Sequence, residues 1–130
     1  MSVTGDNRSS TSNYSVVDDN KRWMIFLHAG EEIVLTGLTA KPNPMGIHLM
    51  RQLILTSHKR LLYIDGKTME QKGEIEWSND ITAAYPQIKQ IDEMTFEIIE
   101  SAKKTYKFIA KDMLNATNWV NAVNATVRRF

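Results

Sequence analysis

One arginine interrupts an apolar row near the middle of the chain. From Ile47 to Thr56, apolar and polar residues alternate with the period of two that predicts a β-strand. One face of this strand would carry Ile47, Leu49, Arg51, Leu53 and Leu55. Because a buried guanidinium is costly, we expect Arg51 to lie near the open end of the strand, within reach of solvent, a carboxylate or a bound anion. A structural ion pair is the simplest of these partners, and a bound anion is the functional alternative.

Further basic residues stand at the turns that follow this arginine. Residues 51–78 have the pattern of three strands joined by two turns, with turn signals at Ser57-His58 and at Asp65-Gly66. Basic side chains placed at such turns suit a small antiparallel barrel. The rim of that barrel can hold a phosphate-rich ligand.

Similar segments recur along the chain and predict a mainly β domain. Short runs of alternating or β-branched residues, separated by turn signals, predict seven antiparallel strands. Their predicted ranges are 32–39, about 47–56, 60–65, 71–77, 87–91, 94–99 and 105–110. Between the first two strands, Pro42 and Pro44 predict a turn over residues 41–46 that cannot continue a ladder. This spacing is typical of a barrel or a sandwich.

Helices are predicted on both sides of the strands. Asp112 can cap a helix in which apolar residues recur at helical spacing as far as Val127, and such a helix can close one end of a barrel. Asn20 can cap a short helical lead-in that ends at Gly30. Residues 1–19 are rich in Ser, Thr, Asn and Asp, which predicts a flexible leader or linker. The predicted domain therefore spans residues 20–130.

Composition argues against several classes of function. A chain of 130 residues supports one hydrophobic core, and a net charge of +1 gives no overall signature of nucleic-acid binding. The absence of cysteine excludes disulfide scaffolds and fits a reducing compartment. The three histidines lack metal-ligand spacing, the pair Glu31-Glu32 is expected to be solvated, and no phosphate-binding glycine loop occurs. We therefore expect a cytoplasmic chain with no metal, no cofactor and no catalysis of its own.

The order of the elements and several motifs resemble a known family. The predicted final helix contains a tryptophan, Trp119. The motifs are Arg51-Gln52-Leu53, Leu55-Thr56, Leu62-Tyr63-Ile64-Asp65, Lys72-Gly73-Glu74-Ile75 and Trp77-Ser78, with Trp23 and Phe26 in the lead-in. Together they resemble the pleckstrin homology domain, most closely the C-terminal one of 3-phosphoinositide-dependent protein kinases. The resemblance implies a seven-stranded antiparallel barrel with a C-terminal α-helix and a short N-terminal helical extension.

The resemblance also implies a function. Such domains hold phosphoinositide headgroups or soluble inositol phosphates at the open end of the barrel, and they bring a kinase to the plasma membrane. The expected partners are these headgroups, an anionic membrane surface and a Ser/Thr kinase domain N-terminal to residue 1, which would carry the catalysis. Two alternatives stay open. One is a protein-interaction or homodimerising domain with a degenerate pocket, and the other is shallow attraction to anionic membranes.

Four basic residues match positions that hold the ligand in this family. Arg51 is the best match, and it would clamp a phosphate through its planar fork. Lys72 falls on a lysine of the family, and Lys104 stands where the family has an arginine. Lys41 corresponds to a lysine in the first turn.

Three positions depart from the family pattern. Leu49 stands where the family has a second arginine on the same strand face, and Asn43 and Met45 occupy a turn that is richly basic in the family. Each charge-assisted contact to a phosphate contributes about 1.5–3 kcal/mol, so we expect weakened headgroup affinity and altered selectivity. Under the self-association alternative, Leu49 and Met45 would form an apolar contact surface at the barrel mouth.

Overall fold

The computed structural model describes residues 20–80 and 82–128, so the predicted leader at 1–19 lies outside the described residues. The chain divides into two compact units, one ending at Gly30 and the other beginning at Glu31. In the first unit, residues 20–23 are α-helical and a 3-10 helix follows at Met24–Phe26. The predicted short helical lead-in is therefore confirmed, but it ends at Phe26 and not at Gly30, and Asn20 is part of the helix. No helix in the described part of the chain combines the length and the apolar character needed to cross a membrane.

The second unit contains seven strands and one long helix. The strands are β1 (Ile33–Pro42), β2 (His48–Thr56), β3 (Arg60–Asp65), β4 (Glu70–Glu76), β5 (Gln87–Gln90), β6 (Thr95–Ser101) and β7 (Lys104–Ile109), and the helix is α1 (Met113–Val127). All strand pairs are antiparallel, and the order across the sheet is β4-β3-β2-β1-β7-β6-β5. The predicted seven-stranded antiparallel fold with a C-terminal helix is confirmed.

Aromatic rings fill the interior between the sheet and α1. The Phe96 ring stacks on Phe108 at 5.7 Å between centroids and on Trp119 of α1 at 6.2 Å. Further toward the other end, Tyr63 contacts Phe108 at 6.1 Å and Tyr106 at 5.7 Å. A continuous series of rings therefore runs through the core from α1 to the strands that carry the basic residues.

The start of α1 follows from its capping residue. Asp112 has an extended backbone, and its side chain accepts a hydrogen bond from the backbone N–H of Asn115 at 2.8 Å. This contact satisfies one of the free N–H groups of the first turn. The same N–H holds the pKa of Asp112 below its ordinary value, so the cap is retained at neutral pH.

The first strand is longer than predicted, because Lys41 and Pro42 continue it. Lys41 pairs with Leu49, and Pro42 pairs with His48. The prediction that the turn begins at residue 41 is therefore wrong, because β1 extends to Pro42. A proline at the last position of a strand omits only a terminal donor, so the ladder reaches it without a gap.

A buried ionic cluster lies where the sequence predicted solvated carboxylates. The guanidinium of Arg60 donates to both carboxylate oxygens of Glu31, at 2.8 and 2.6 Å, and to Glu74 at 2.9 Å. The hydroxyl of Thr56 also donates to Glu31, whose side chain is fully buried. The prediction that Glu31 is solvated is wrong. Its carboxylate is the centre of a cluster that joins β2, β3 and β4.

Candidate functional site

One end of the barrel gathers the predicted binding residues, and we call it the mouth. It is formed by the β1–β2, β3–β4 and β6–β7 loops, which the antiparallel pairing brings to the same end of the sheet. Lys41 lies near the end of β1, Arg51 near the start of β2, Lys72 near the start of β4 and Lys104 at the start of β7. The structure therefore places all four residues at the mouth.

Lys41 and Lys104 share an aromatic platform. The Nζ atom of Lys41 lies 5.8 Å from the ring centroid of Tyr63 and 5.8 Å from that of Tyr106. The Nζ atom of Lys104 lies 5.3 Å from the ring centroid of Tyr106. An ammonium group within about 6 Å of a ring face is attracted by the ring quadrupole. The two rings thus hold two cations close together without neutralising their charge.

Arg51 and Lys72 meet at a carboxylate. The Nη1 atom of Arg51 lies 3.9 Å from Oδ2 of Asp65 and donates to the carbonyl oxygen of Met50 at 2.9 Å. The backbone N–H of Lys67 donates to Asp65 and holds its pKa below the ordinary value, and the charges of Arg51 and Lys72 act in the same direction. Of the three partners expected for Arg51, the structure shows the carboxylate.

Two more carboxylates accompany the lysines of the mouth. Glu70 lies 2.8 Å from Nζ of Lys72, and Glu100 lies 3.5 Å from Nζ of Lys104. Hydrogen bonding with Tyr106 raises the pKa of Lys104, and the charge of Glu100 raises it further, so this lysine is charged at neutral pH. Three of the four predicted cations therefore have an acidic neighbour, which an incoming anion would have to displace.

Sequence reasoning missed these acidic residues and the two tyrosines. Glu70 stands two residues before Lys72, which places both side chains on one strand face, and Glu100 stands four residues before Lys104 across a turn. Both spacings in the sequence could have predicted these pairs of opposite charge. Asp65 was interpreted as a strand end, a turn residue and part of a family motif, and its contact with Arg51 depends on the pairing of β2 with β3.

The phenol of Tyr63 is held neutral at the base of the mouth. Burial raises its pKa to about 12, and hydrogen bonding with Tyr106 raises it in the same direction. The Tyr63 ring crosses directly over Gly73 of β4, since an added Cβ there would lie 2.0 Å from the Tyr63 hydroxyl oxygen. A glycine is required at this position for the ring to occupy its place.

We expect Gly73→Ala to destabilise the fold and to displace the platform. The new methyl group overlaps Tyr63 Cζ at 2.1 Å as well as its oxygen, so the rigid ring must move. Overpacking of this kind costs about 1–3 kcal/mol. Urea denaturation followed by tryptophan fluorescence measures the loss of unfolding free energy.

Gly37→Ala is the matched control, because it also adds a methyl group to a glycine in a strand. A Cβ at Gly37 would meet Trp119 at 3.7 Å, which is ordinary contact. We expect Gly37→Ala to change the unfolding free energy by less than about 1 kcal/mol. Equal stability of the two variants would show that Tyr63 does not need the space above Gly73.

Sequence comparisons identify relatives of the chain. A family model described as PH domain matches residues 21–130. The probable serine/threonine-protein kinase pdkA of Dictyostelium discoideum is 35% identical over 123 residues, which cover 94% of this chain and 15% of that protein. The 3-phosphoinositide-dependent protein kinase B of the same organism is 33% identical over 107 residues, which cover 82% of this chain and 11% of that protein. The chain thus spans a small part of the length of these relatives.

Solved structures share the fold. The carboxyl-terminal PH domain of pleckstrin superposes with a TM-score of 0.62 at 22% identity, over 75% of this chain and 99% of that one. The same domain in complex with D-myo-Ins(1,2,3,5,6)P5 superposes with a TM-score of 0.62 at 22% identity, over 75% and 97% of the two chains. The DH/PH fragment of PDZRHOGEF in complex with human RhoA gives a TM-score of 0.63 at 12% identity, over 95% of this chain and 34% of that one.

Proposed function

Because the chain belongs to the pleckstrin homology (PH) domain family, we propose that its mouth binds polyphosphorylated inositol headgroups. The ligand would be the headgroup of a phosphoinositide or a soluble inositol phosphate. The observation that carries this proposal is the convergence of Lys41, Arg51, Lys72 and Lys104 on one end of the barrel. Four cations on separate strands can meet several phosphates of one small ring.

Each of the four residues has a distinct proposed role. Arg51 would clamp one phosphate through its planar fork, and Lys72 would support the same phosphate from the neighbouring side of Asp65. Lys41 and Lys104, which share the Tyr106 ring, would contact a second phosphate. A soluble inositol pentakisphosphate is bound by the pleckstrin domain of the same fold, which supports this class of ligand.

The acidic neighbours imply modest affinity. In the free protein Asp65, Glu70 and Glu100 lie beside Arg51, Lys72 and Lys104, so a headgroup gains only the difference between its own contacts and theirs. Leu49, which pairs with Lys41 at the mouth, adds no charge. We therefore propose weaker binding than four unshared cations would give.

The relatives suggest the context in which such binding would act. Both curated relatives are named as protein kinases, and this chain covers 15% and 11% of their lengths. We propose that the chain is a regulatory domain of a Ser/Thr kinase, which it would recruit from the cytoplasm to the plasma membrane. Catalysis would then belong to another domain of the same protein.

Calorimetric titration with a panel of inositol phosphates at physiological ionic strength tests the proposal. We expect saturable one-to-one binding by the most highly phosphorylated isomers. If none of the inositol phosphates gave a heat of binding, while circular dichroism showed the domain to be folded, headgroup binding at the mouth would be excluded.

We expect Asp65→Asn to tighten headgroup binding by about tenfold, because the change removes a negative charge from the place where the anion would sit. The asparagine oxygen can still accept the turn hydrogen bonds from Lys67 and Thr68, so the β3–β4 loop keeps its shape. The same titration measures the change in Kd.

Asp92→Asn is the matched control for this charge effect. Asp92 accepts backbone hydrogen bonds from Met94 and Thr95 in the same way, but it lies in the β5–β6 turn, at the other end of β6 from the β6–β7 loop of the mouth. We expect its Kd to equal that of the unmodified protein. Equal affinities for both variants would mean that Asp65 does not compete with the ligand.

A second candidate function is self-association through the outer face of β1 and β2. Leu38 and Met50 are 54% and 51% exposed, and they line a shallow groove with Ala40 and Ile109. Apolar side chains grouped in this way on a surface mark contact sites. Self-association needs no ligand, so sedimentation of the free protein at increasing concentration separates this function from headgroup binding.

A further inference from the structure

A polar cleft lies away from the mouth, where β2 and β4 end. Its volume is about 500 Å³, and its walls are the turn between β2 and β3 and the end of β4 with the residues that follow it. A cleft of this size can hold a small ligand. The lining residues are Ser57, His58, Lys59, Glu76, Trp77, Ser78 and Asn79.

The cleft is a separate site from the mouth. Arg51 lies near the start of β2, and the cleft begins at Ser57, directly after β2 ends. A strand rises about 3.3 Å per residue, so roughly 16 Å separates Arg51 from the cleft along β2. β4 likewise runs from Lys72 near the mouth to Glu76 at the cleft. A headgroup held at the mouth therefore leaves the cleft open.

Two unfavourable features meet at Lys59 in the wall of this cleft. Its φ is +60°, a left-handed conformation that favours glycine, and the residue is only 8% exposed. Burial of an ammonium group is costly unless polar groups surround it. A strained residue persists where the surrounding structure holds it, and such residues occur often at binding sites. The conformation and burial of Lys59 therefore indicate a role for its side chain beyond the turn.

Asn79 fixes the ammonium group of Lys59 at the cleft. Nζ of Lys59 donates to Oδ1 of Asn79 at 2.7 Å. Because a lysine ammonium can only donate, the amide presents its oxygen to it and keeps its NH2 group as a donor. Among residues 20–80 and 82–128, no acceptor contacts that NH2 group. Asn79 thus adds two N–H donors to the cleft beside a positive charge.

The turn that carries Lys59 is held from both sides. Ser57 exchanges two hydrogen bonds with Glu32: its N–H donates to the Glu32 carbonyl oxygen at 2.8 Å, and its Oγ accepts from the Glu32 N–H at 2.9 Å. The carbonyl oxygen of Lys59 accepts from the N–H of Trp77 at 2.9 Å. Since Ser57 Oγ is an acceptor in this contact, its hydroxyl proton can be donated to a ligand. Donors fixed in this way lose little freedom when they bind.

We propose that this cleft binds a phosphate monoester. Lys59 supplies the positive charge, and the NH2 group of Asn79 and the hydroxyl of Ser57 donate to the phosphate oxygens. A phosphate monoester has three terminal oxygens for these three groups, whereas a carboxylate has two. Glu76 is the one carboxylate among the described lining residues, and it opposes the anion. The cleft is then a second anion site, independent of the mouth.

A titration followed by two-dimensional 1H–15N NMR tests the proposal, because each backbone N–H reports separately on its surroundings. Inorganic phosphate and a short phosphoserine peptide are added in separate experiments at constant ionic strength. We expect saturable shifts at Ser57, Lys59 and Asn79, resolved from any shifts at the mouth. The same peptide without its phosphate should give none. The ligand that saturates at the lower concentration identifies the source as a free anion or a phosphorylated protein.

The variant Asn79→Asp separates a binding role from a structural one. An aspartate still accepts the hydrogen bond from Lys59, now as an ion pair, so the turn and the residues after β4 stay joined. Its carboxylate replaces the NH2 donor and repels the anion, so we expect at least about tenfold weaker binding of phosphate. If the side chain were merely structural, neither binding nor thermal unfolding would fall.

The opposite change is expected at Glu76. Glu76→Gln removes the negative charge from the cleft, so we expect about fivefold tighter binding of phosphate. Glu97→Gln is the matched control, because Glu97 lies on β6, pairs with Lys107 and is outside the lining of the cleft. Its affinity should equal that of the unmodified protein.

Three results would overturn the proposal. The first is the absence of saturable shifts at the cleft with both ligands. The second is equal shifts with sodium chloride at the same ionic strength, which would show a general effect of salt. The third is an unchanged affinity of Asn79→Asp, which would place the anion elsewhere. Failure of the calorimetric titration bears only on the mouth, since the NMR shifts at Ser57 and Asn79 report on the cleft alone.

Discussion

Replacing Arg51 with alanine is expected to weaken headgroup binding by about 100-fold. A bidentate contact between a guanidinium and a phosphate contains two charge-assisted hydrogen bonds, so its loss costs about 3 kcal/mol or more. The variant also leaves Asp65 without the cation that lies 3.9 Å away, and this carboxylate would then repel the ligand. Calorimetric titration with the tightest-binding inositol phosphate measures the loss.

Two further variants separate the effect of the Arg51 guanidinium from a general effect of positive charge. Arg51→Lys keeps the charge but loses the fork, so we expect an intermediate affinity. Lys107→Ala removes one positive charge from the middle of β7, outside the three loops of the mouth, where Lys107 pairs with Glu97. We expect it to leave the Kd unchanged. If Arg51→Ala and Lys107→Ala weakened binding equally, the attraction would be general and Arg51 would have no specific role.

The largest expected effect on stability is at Glu31. The substitution Glu31→Ala removes both carboxylate oxygens that Arg60 contacts, while the Arg60 side chain is only 4% exposed. Breaking a buried ion pair by deleting one partner costs about 3–5 kcal/mol, because the remaining charge is left poorly compensated. Urea denaturation at neutral pH measures the change in unfolding free energy.

The buried charge, rather than the loss of side-chain volume, is expected to cause this destabilisation. The double variant Glu31→Met/Arg60→Met removes both charges, so we expect it to recover much of the lost stability. Glu74→Ala deletes a partly exposed partner of Arg60 at 2.9 Å and should cost less than Glu31→Ala. A double variant as unstable as Glu31→Ala would assign the loss to packing.

The strands were predictable because local signals mark their ends. The third predicted strand coincides with β3 (Arg60–Asp65), since a short turn precedes it and Asp65-Gly66 follows it. The first strand was cut short at its prolines, although Lys41 and Pro42 pair with β2. Whether a proline ends a strand depends on the partner opposite it, and a single sequence does not show that partner.

The side-chain environments were harder to predict than the strands. Glu31 contacts Arg60, which lies 29 residues further along the chain, so only the folded register reveals that the carboxylate is buried. Asp65 beside Arg51 has the same origin, because pairing between β2 and β3 brings the two together. The alternating pattern around Arg51 was sufficient to place this residue on a strand face. The identity of its partner required tertiary structure.

The carboxylates beside the cations of the mouth have a consequence for counterions. A bare cluster of lysines and arginines attracts anions from solution and releases them when a ligand binds, so its affinity falls steeply as salt concentration rises. At this mouth the carboxylates of Asp65, Glu70 and Glu100 already lie beside the cations, where anions from solution would otherwise bind. A headgroup that binds would therefore displace these carboxylates from the cations, and few ions would be released into solution. Its affinity would depend only weakly on salt concentration, even though the contacts are ionic.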